Sequence, residues 1–133
     1  MSDSDIATTD SGIEPSLVDE WRRLLSRHAM VTGALEHELQ ERHGLGVNEF
    51  EALERLVECD GCRAQELTDA LPLSQSAASR LVARLERQGL VTRAMCDNDR
   101  RGVSVCLTDA GRERYLAARP TQRAVLAATL RQD

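Results

Sequence analysis

Residues 71–101 place a helix with defined ends directly before a charged hairpin, and this combination limits the folds open to the chain. Ser74 is a residue type that caps helix N-termini, and Gly89 is a type that ends helices. Residues 90–96 and 103–107 read as β segments joined by the turn CDNDRRG. A capped helix with exposed polar groups can enter a major groove, and a charged hairpin can grip the adjacent minor groove. The segment therefore predicts a winged helix-turn-helix.

A short helix and a break precede the capped helix. Residues 65–70 are predicted to be helical with Leu67 and Ala70 inward, and residues 71–73 end that helix at a proline. The apolar positions of the capped helix fall on one face, and they are Ala77, Ala78, Leu81, Val82 and Leu85. A short helix, a tight turn and a second helix form the helix-turn-helix arrangement.

An apolar stripe predicts a long first helix, which begins at Pro15 and ends near residues 43–44. Side chains of the stripe recur every three or four residues, and they are Leu17, Trp21, Leu24, His28, Val31, Leu35 and Leu39. A long helix with so narrow an apolar seam, in a chain of 133 residues, indicates packing against a second subunit.

These patterns predict a mainly α fold with a small β hairpin, in which a winged helix-turn-helix domain is flanked by N- and C-terminal dimerisation helices. The expected divisions are a disordered acidic tail at 1–14, a dimerisation helix at 15–46, a DNA-binding domain at 47–108 and a C-terminal helix at 109–133. Thr108 is the expected cap of the last helix, which Pro120 is expected to kink or divide.

The charge is distributed unevenly along the chain. The net charge is −5, but residues 1–73 carry −10, whereas residues 74–115 carry +3 and residues 116–133 carry +2. Positive charge therefore lies where the DNA-reading elements are predicted. No apolar run approaches the length of a membrane span, and the acidic start is unlike a signal peptide, so we expect a cytoplasmic protein with no membrane partner.

Two stretches of the chain resemble the MarR family of bacterial transcription regulators. They are ELTDALPLSQSAASRLVARLERQGLVTR and the wing DNDRRGVSVCLTDAG, in which Asp99, Arg101, Leu107, Thr108 and Gly111 match the family pattern. The resemblance spans roughly residues 17–125. It implies an obligate homodimer that represses transcription from palindromic double-stranded DNA and is released by a small effector such as a phenol. Family members usually continue through a further C-terminal helix, so a shorter dimer interface is expected here.

The candidate DNA-binding residues lie in the capped helix and the wing. On the helix they are Ser74, Gln75, Ser76, Ser79, Arg80 and Arg84. Gln can bond adenine bidentately and Arg can bond guanine, whereas the alternative is that these side chains only cap or solvate the helix. In the wing, Arg100 and Arg101 suit a narrow minor groove, and Asp99 is expected to shape the turn.

The candidate effector pocket contains Trp21, Arg22, Arg27 and His28. In the family the effector lies where the first helix meets the DNA-binding domain, and arginine or imidazole groups there could bind a carboxylate or a phenol. The alternative is that His28 packs in a core or an interface.

Cys59 and Cys62 form a C-x-x-C motif, which can bind metal or form a redox disulfide. A zinc site needs four ligands, and Cys96 and Cys106 belong to a different predicted element, so neither a metal nor another cofactor is assigned. Free structural thiols and a thiol-based oxidant-sensing regulator both stay open. An enzyme, a thiol oxidoreductase, is disfavoured because no βαβ pattern surrounds the motif.

Overall fold

The computed structural model describes residues 14–95 and 103–131. In chain order, the elements of this part are α1 (Glu14–His43), α2 (Val47–Cys59), β1 (Cys62–Arg63), α3 (Ala64–Ala70), α4 (Gln75–Arg87), β2 (Val91–Met95), β3 (Val103–Leu107) and α5 (Asp109–Leu130). A mainly helical chain with a small sheet confirms the predicted fold class. No helix within these two ranges has the length and apolarity that crossing a membrane requires.

The strands form one antiparallel sheet in the order β1-β3-β2. Strand β1 was not predicted, because two residues are too few to show an alternating pattern. The sequence of β3 alternates, with Val103, Val105 and Leu107 against Ser104 and Cys106, but burial does not follow this alternation at the start of the strand, where Val103 is exposed and Ser104 is buried. Ser104 is covered because it lies between Arg63 of β1 and Ala94 of β2 in the central strand.

A hydrophobic core joins α2, α3, α4 and β3. Its fully buried side chains include Phe50, Leu53, Leu56, Leu67, Val82, Leu85 and Val105. The predicted inward position of Ala70 is wrong, because the last residue of α3 is exposed and Thr68 is buried instead. The Thr68 hydroxyl donates to the Gln65 carbonyl at 3.0 Å, and this bond satisfies the polar group that burial removes from water.

The apolar stripe of α1 has two different environments. Val31, Leu35 and Leu39 are buried within the chain. The N-terminal half of the same helix has no buried residue, and Leu17, Trp21 and Leu24 are each more than half exposed. The C-terminal half of α1 therefore belongs to the core of the chain, and the N-terminal half presents an apolar surface.

Helix α5 is attached to α2 by an aromatic contact and a partly buried acid. The rings of Phe50 and Tyr115 stack with centroids 5.3 Å apart. The Tyr115 hydroxyl and the Arg123 guanidinium both donate to Glu54 Oε1, at 2.7 and 2.6 Å. Burial raises the pKa of Glu54, but the two hydrogen bonds outweigh that effect and the pKa lies below its usual value. Pro120 does not divide α5, which is continuous.

Gly111, in the first turn of α5, allows a close approach between α5 and the loop before β2. A Cβ atom at this position would overlap the carbonyl oxygen of Leu90. Backbone cannot move aside as the end of a flexible side chain can, so the position requires glycine.

Gly111→Ala should therefore destabilise the fold by about 1–3 kcal/mol, the usual range for forcing extra atoms into a filled site. Gly33→Ala is the matched control, because a Cβ there meets no atom within 4 Å. In the middle of α1 that change should be neutral or stabilising by up to about 1 kcal/mol. Urea unfolding followed by circular dichroism measures both, and equal midpoints for the two variants would contradict the close-contact argument.

Candidate nucleic-acid interface

The candidate interface is centred on α4, whose ends and buried face are fixed by local interactions. The Ser74 hydroxyl accepts a hydrogen bond from the Ala77 amide at 3.2 Å, which confirms Ser74 as the N-cap. Gly89, at φ +77°, follows the last turn, in a conformation that glycine adopts without strain. Leu81 and Leu85 are among the buried residues of α4, so the opposite face points away from the core.

Three of the predicted DNA-binding residues lie on this open face. Ser76, Ser79 and Arg80 are exposed. Ser76 lies near the cap, with its hydroxyl 3.5 Å from that of Ser74. Arg80 makes no hydrogen bond or ion pair with any residue in 14–95 or 103–131. Its guanidinium is therefore available, within the described part of the chain, to an external acceptor.

Gln75 is held by α3. Its side-chain amide donates to Gln65 Oε1 at 3.0 Å, and the Gln65 amide in turn donates to Asp69 at 2.9 Å. This chain of side-chain amides joins the two helices of the helix-turn-helix on their exposed side. The contact of Gln65 with Gln75 was not predicted, because their ten-residue separation matches no helical or strand period.

Arg84 has an ion-pair partner that the sequence did not indicate. Its Nε donates to Glu49 Oε2 at 2.9 Å, and the Glu49 side chain is only 7% exposed. Glu49 follows Gly46 by three residues, which is the spacing at which a glutamate side chain accepts a hydrogen bond from the backbone amide of the N-cap residue. The sequence therefore indicates a capping role for Glu49 at the start of α2. This spacing does not predict the contact with Arg84 on α4, which is 35 residues further along the chain.

The hairpin lies next to α4, where Arg93 of β2 forms an ion pair with Glu86 at 3.0 Å. The three wing residues predicted to bind DNA, Asp99, Arg100 and Arg101, lie outside the described residues, as does Cys96.

The candidate effector residues do not share one pocket. Arg22 lines an open groove of about 760 Å³ on α1. His28 lines a recess of about 260 Å³ between α1 and the end of α5. Arg27 borders both and donates to the carbonyl of Leu130, whereas Trp21 is exposed and borders neither. The predicted location, at a junction of α1 with the helix-turn-helix, is thus not where these side chains lie.

The cysteines of the C-x-x-C motif differ in environment. Cys59, at the end of α2, is exposed, whereas Cys62 is buried in β1, where it pairs with Val105. Burial and the neighbouring Cys59 thiol raise the pKa of Cys62 to about 12. Because the thiolate is the reactive form, Cys62 is a poor nucleophile near neutral pH. No group of three or more possible ligands among the described residues is arranged to hold a metal ion.

The fold and the sequence both match known regulators. The sequence profile of the MarR family matches residues 43–102. AbsC, a MarR family transcriptional regulator from Streptomyces coelicolor, is 34% identical, with 83% of this chain and 75% of that chain covered and a TM-score of 0.75. A MarR family transcriptional regulator from Silicibacter pomeroyi is 30% identical, with coverages of 90% and 82% and a TM-score of 0.75. Sco3205, a MarR family regulator from Streptomyces coelicolor solved in complex with DNA, is 30% identical, with coverages of 87% and 72% and a TM-score of 0.76. No curated protein sequence gives a significant match.

The two cysteines of the motif should react at different rates in the native protein. With iodoacetamide at pH 8, Cys59 should be alkylated before Cys62, because Cys62 is buried and its pKa is raised to about 12. Peptide mass mapping during the reaction measures each rate, and unfolding in urea is the control that should bring the two rates together. Faster alkylation of Cys62 in the native protein would contradict this assignment.

Proposed function

The chain belongs to the MarR family of transcriptional regulators, and from this we propose that it binds palindromic double-stranded DNA as a homodimer and represses transcription. The observation that carries the proposal is the position of Arg80. It lies on the exposed face of a capped helix whose other face is buried, and it has no partner among the described residues. The DNA complex of Sco3205, at 30% identity, supports the same use of the fold.

In this proposal, α4 enters the major groove with its N-terminal half toward the base edges. Arg80 reads guanine through its two terminal nitrogens, and Ser76 and Ser79 bond bases or phosphates. Gln75 can still accept a hydrogen bond from adenine while its amide nitrogen is held by Gln65.

The wing is assigned from the family resemblance. Arg100 and Arg101 enter the adjacent minor groove, and Asp99 shapes the turn. A location in the cytoplasm and the absence of enzyme activity are part of the same proposal, since the members of the family are transcription regulators.

The partner that covers the N-terminal half of α1 is, in this proposal, a second copy of the chain. Leu17, Trp21, Leu24 and Leu25 are all exposed on this half, and several large apolar side chains exposed together on one helix are unfavourable in water. The proposed divisions are dimerisation segments at 15–46 and 109–133 around a DNA-binding domain at 47–108. A symmetric dimer also supplies the two recognition helices that a palindrome requires.

The groove on α1 is the proposed effector site, and because Leu24 lines it, this site must lie at the edge of the proposed dimer interface. Three arginines and two acids line the groove together and leave a formal charge of +1, and they are Arg22, Arg23, Arg27, Asp19 and Glu20. Leu24 and Met30 provide apolar contact. A small aromatic carboxylate has the complementary chemistry, because it carries one anionic group on an apolar ring. Isothermal titration with benzoate measures this binding directly.

Arg80→Ala should weaken binding to the preferred DNA by about 1–3 kcal/mol and relax base preference at one position in each half-site. The loss should be much smaller on random DNA, because a base contact contributes little there. Selection from a random duplex library followed by fluorescence anisotropy measures both effects. The control is Arg55→Ala, which removes an equal charge from α2, where Arg55 pairs with Glu51. Unchanged preference and affinity in Arg80→Ala would place the DNA contact elsewhere.

Leu24→Glu should dissociate the dimer, because it would bury a carboxylate in an apolar interface. Light scattering at micromolar concentration should give twice the mass of one chain for the wild type and one chain mass for the variant. Ser26→Glu is the control on the same helix, since two residues rotate the side chain by about 200° away from Leu24. A monomeric wild type, or a dimeric Leu24→Glu, would overturn the assignment of this surface.

A further inference from the structure

Glu49 is a buried carboxylate with two fixed partners. It lies in the first turn of α2, and its side chain is 7% exposed. Oε1 accepts from the Gly46 amide at 2.6 Å, and Oε2 accepts from Arg84 Nε at 2.9 Å. Removing either partner would leave part of a buried charge without a hydrogen bond, which is costly in a protein interior. Both oxygens are therefore held in place.

Arg84 uses one of its three nitrogens in this contact. The side chain is 48% exposed, and its two terminal nitrogens have no hydrogen-bond partner among residues 14–95 and 103–131. Because the guanidinium is planar, fixing Nε also fixes the plane in which the terminal nitrogens lie. The result is an arginine with one edge bonded to the protein and the other edge open.

The position of Arg84 on α4 separates it from the residues proposed to read bases. It lies in the last turn of the helix, four residues after Arg80, whereas base contacts come mainly from the N-terminal part of a recognition helix. Arg80 has no partner among the described residues and can adjust to a base edge, but Arg84 is bonded to Glu49 and cannot adjust without breaking that contact.

Helix α1 lies beside this ion pair. Glu36 of α1 accepts a hydrogen bond from the Val47 amide at 3.1 Å, at the start of α2. A polar cavity of about 290 Å³ lies over the ion pair and is lined by Glu36, Gln40, Asn48 and Arg84, among others. Glu49 thus lies at the point where α1, the start of α2 and the recognition helix meet.

We propose that Glu49 is a positioning residue for DNA binding, which holds Arg84 so that its open edge binds a phosphate and does not read a base. This inference rests on the proposed function, because it assumes that α4 enters the major groove. In this proposal the C-terminal half of α4 reads no base. The phosphate contact of Arg84 on α4 then depends on Glu49, a buried acid of α2.

The test compares Glu49→Gln, Arg84→Gln and the double variant by fluorescence anisotropy. The probes are a duplex selected from a random library by the wild type and a scrambled duplex of equal length, each measured over a range of salt concentrations. Arg84→Gln should lower affinity for both duplexes alike, by about tenfold near 0.1 M salt, and reduce the salt slope by about 1. Glu49→Gln should have the same signature, and it should add little in the Arg84→Gln background.

Two matched controls separate positioning from charge. Removing an acid near DNA should by itself strengthen phosphate attraction, and Glu51→Gln, a half-buried acid on the same helix, measures that effect. Arg87→Gln removes an exposed arginine from the same turn of α4 as Arg84. A salt slope equal to that of the wild type in folded Glu49→Gln would overturn the proposal, and so would a change of base preference in Arg84→Gln.

Arg84→Lys keeps the inference testable if Glu49→Gln does not fold. Lysine retains the charge but has no Nε–H with which to fix a second edge. It should bind both duplexes more weakly than the wild type, and equal binding would show that the fixed orientation is irrelevant. A wild type that selects no duplex from the library and does not bind the scrambled duplex would instead reject the proposed function, so the two failures are distinct.

Discussion

The apolar face of α4 lies against α2, α3 and β2, and the position of every polar side chain on that helix depends on this contact. Ala78, Leu81, Val82 and Leu85 form the buried side. Because that side is buried, any rotation of the helix would expose apolar surface to water, which costs about 25 cal/mol per Å² of free energy. The buried leucines therefore fix the orientation of α4 about its axis, and the exposed residues determine what the helix can bind.

Local signals were sufficient to predict this helix. A serine cap, a glycine at the C-terminal end and apolar residues at helical spacing all act within a few residues of one another. The local sequence is therefore enough to predict the helix and both of its ends. The same holds for α1 and for the Thr108 cap of α5, whose hydroxyl accepts from the Gly111 amide at 3.0 Å. The requirement for glycine at position 111 comes from Leu90, twenty-one residues earlier, and only the packed structure explains it.

Contacts between distant parts of the chain could not be predicted in this way. The partner of Arg84 is a glutamate on another helix, and strand β1 exists only because β3 lies beside it. Burial was also misjudged at Ala70, where hydrophobicity favoured the interior but the last turn of α3 faces outward. In each case the deciding interaction is tertiary, and periodicity along the sequence has no information about it. The opposite holds for the first half of α1. Its apolar spacing is clear in the sequence, but its large apolar side chains stay exposed within the described chain.

Pro120 concentrates any bending of α5 in one turn. Without an amide hydrogen, it leaves the Leu116 carbonyl without the usual donor four residues later. Each side of this weakened turn is bonded to both neighbouring helices. Before the turn, Arg114 donates to the His43 carbonyl of α1 and Tyr115 donates to Glu54 of α2. After the turn, Thr121 contacts His43 at 2.8 Å and Arg123 donates to Glu54. A bend of α5 at Pro120 would therefore strain contacts with both α1 and α2, so these two helices hold the halves of α5 in line across the missing hydrogen bond.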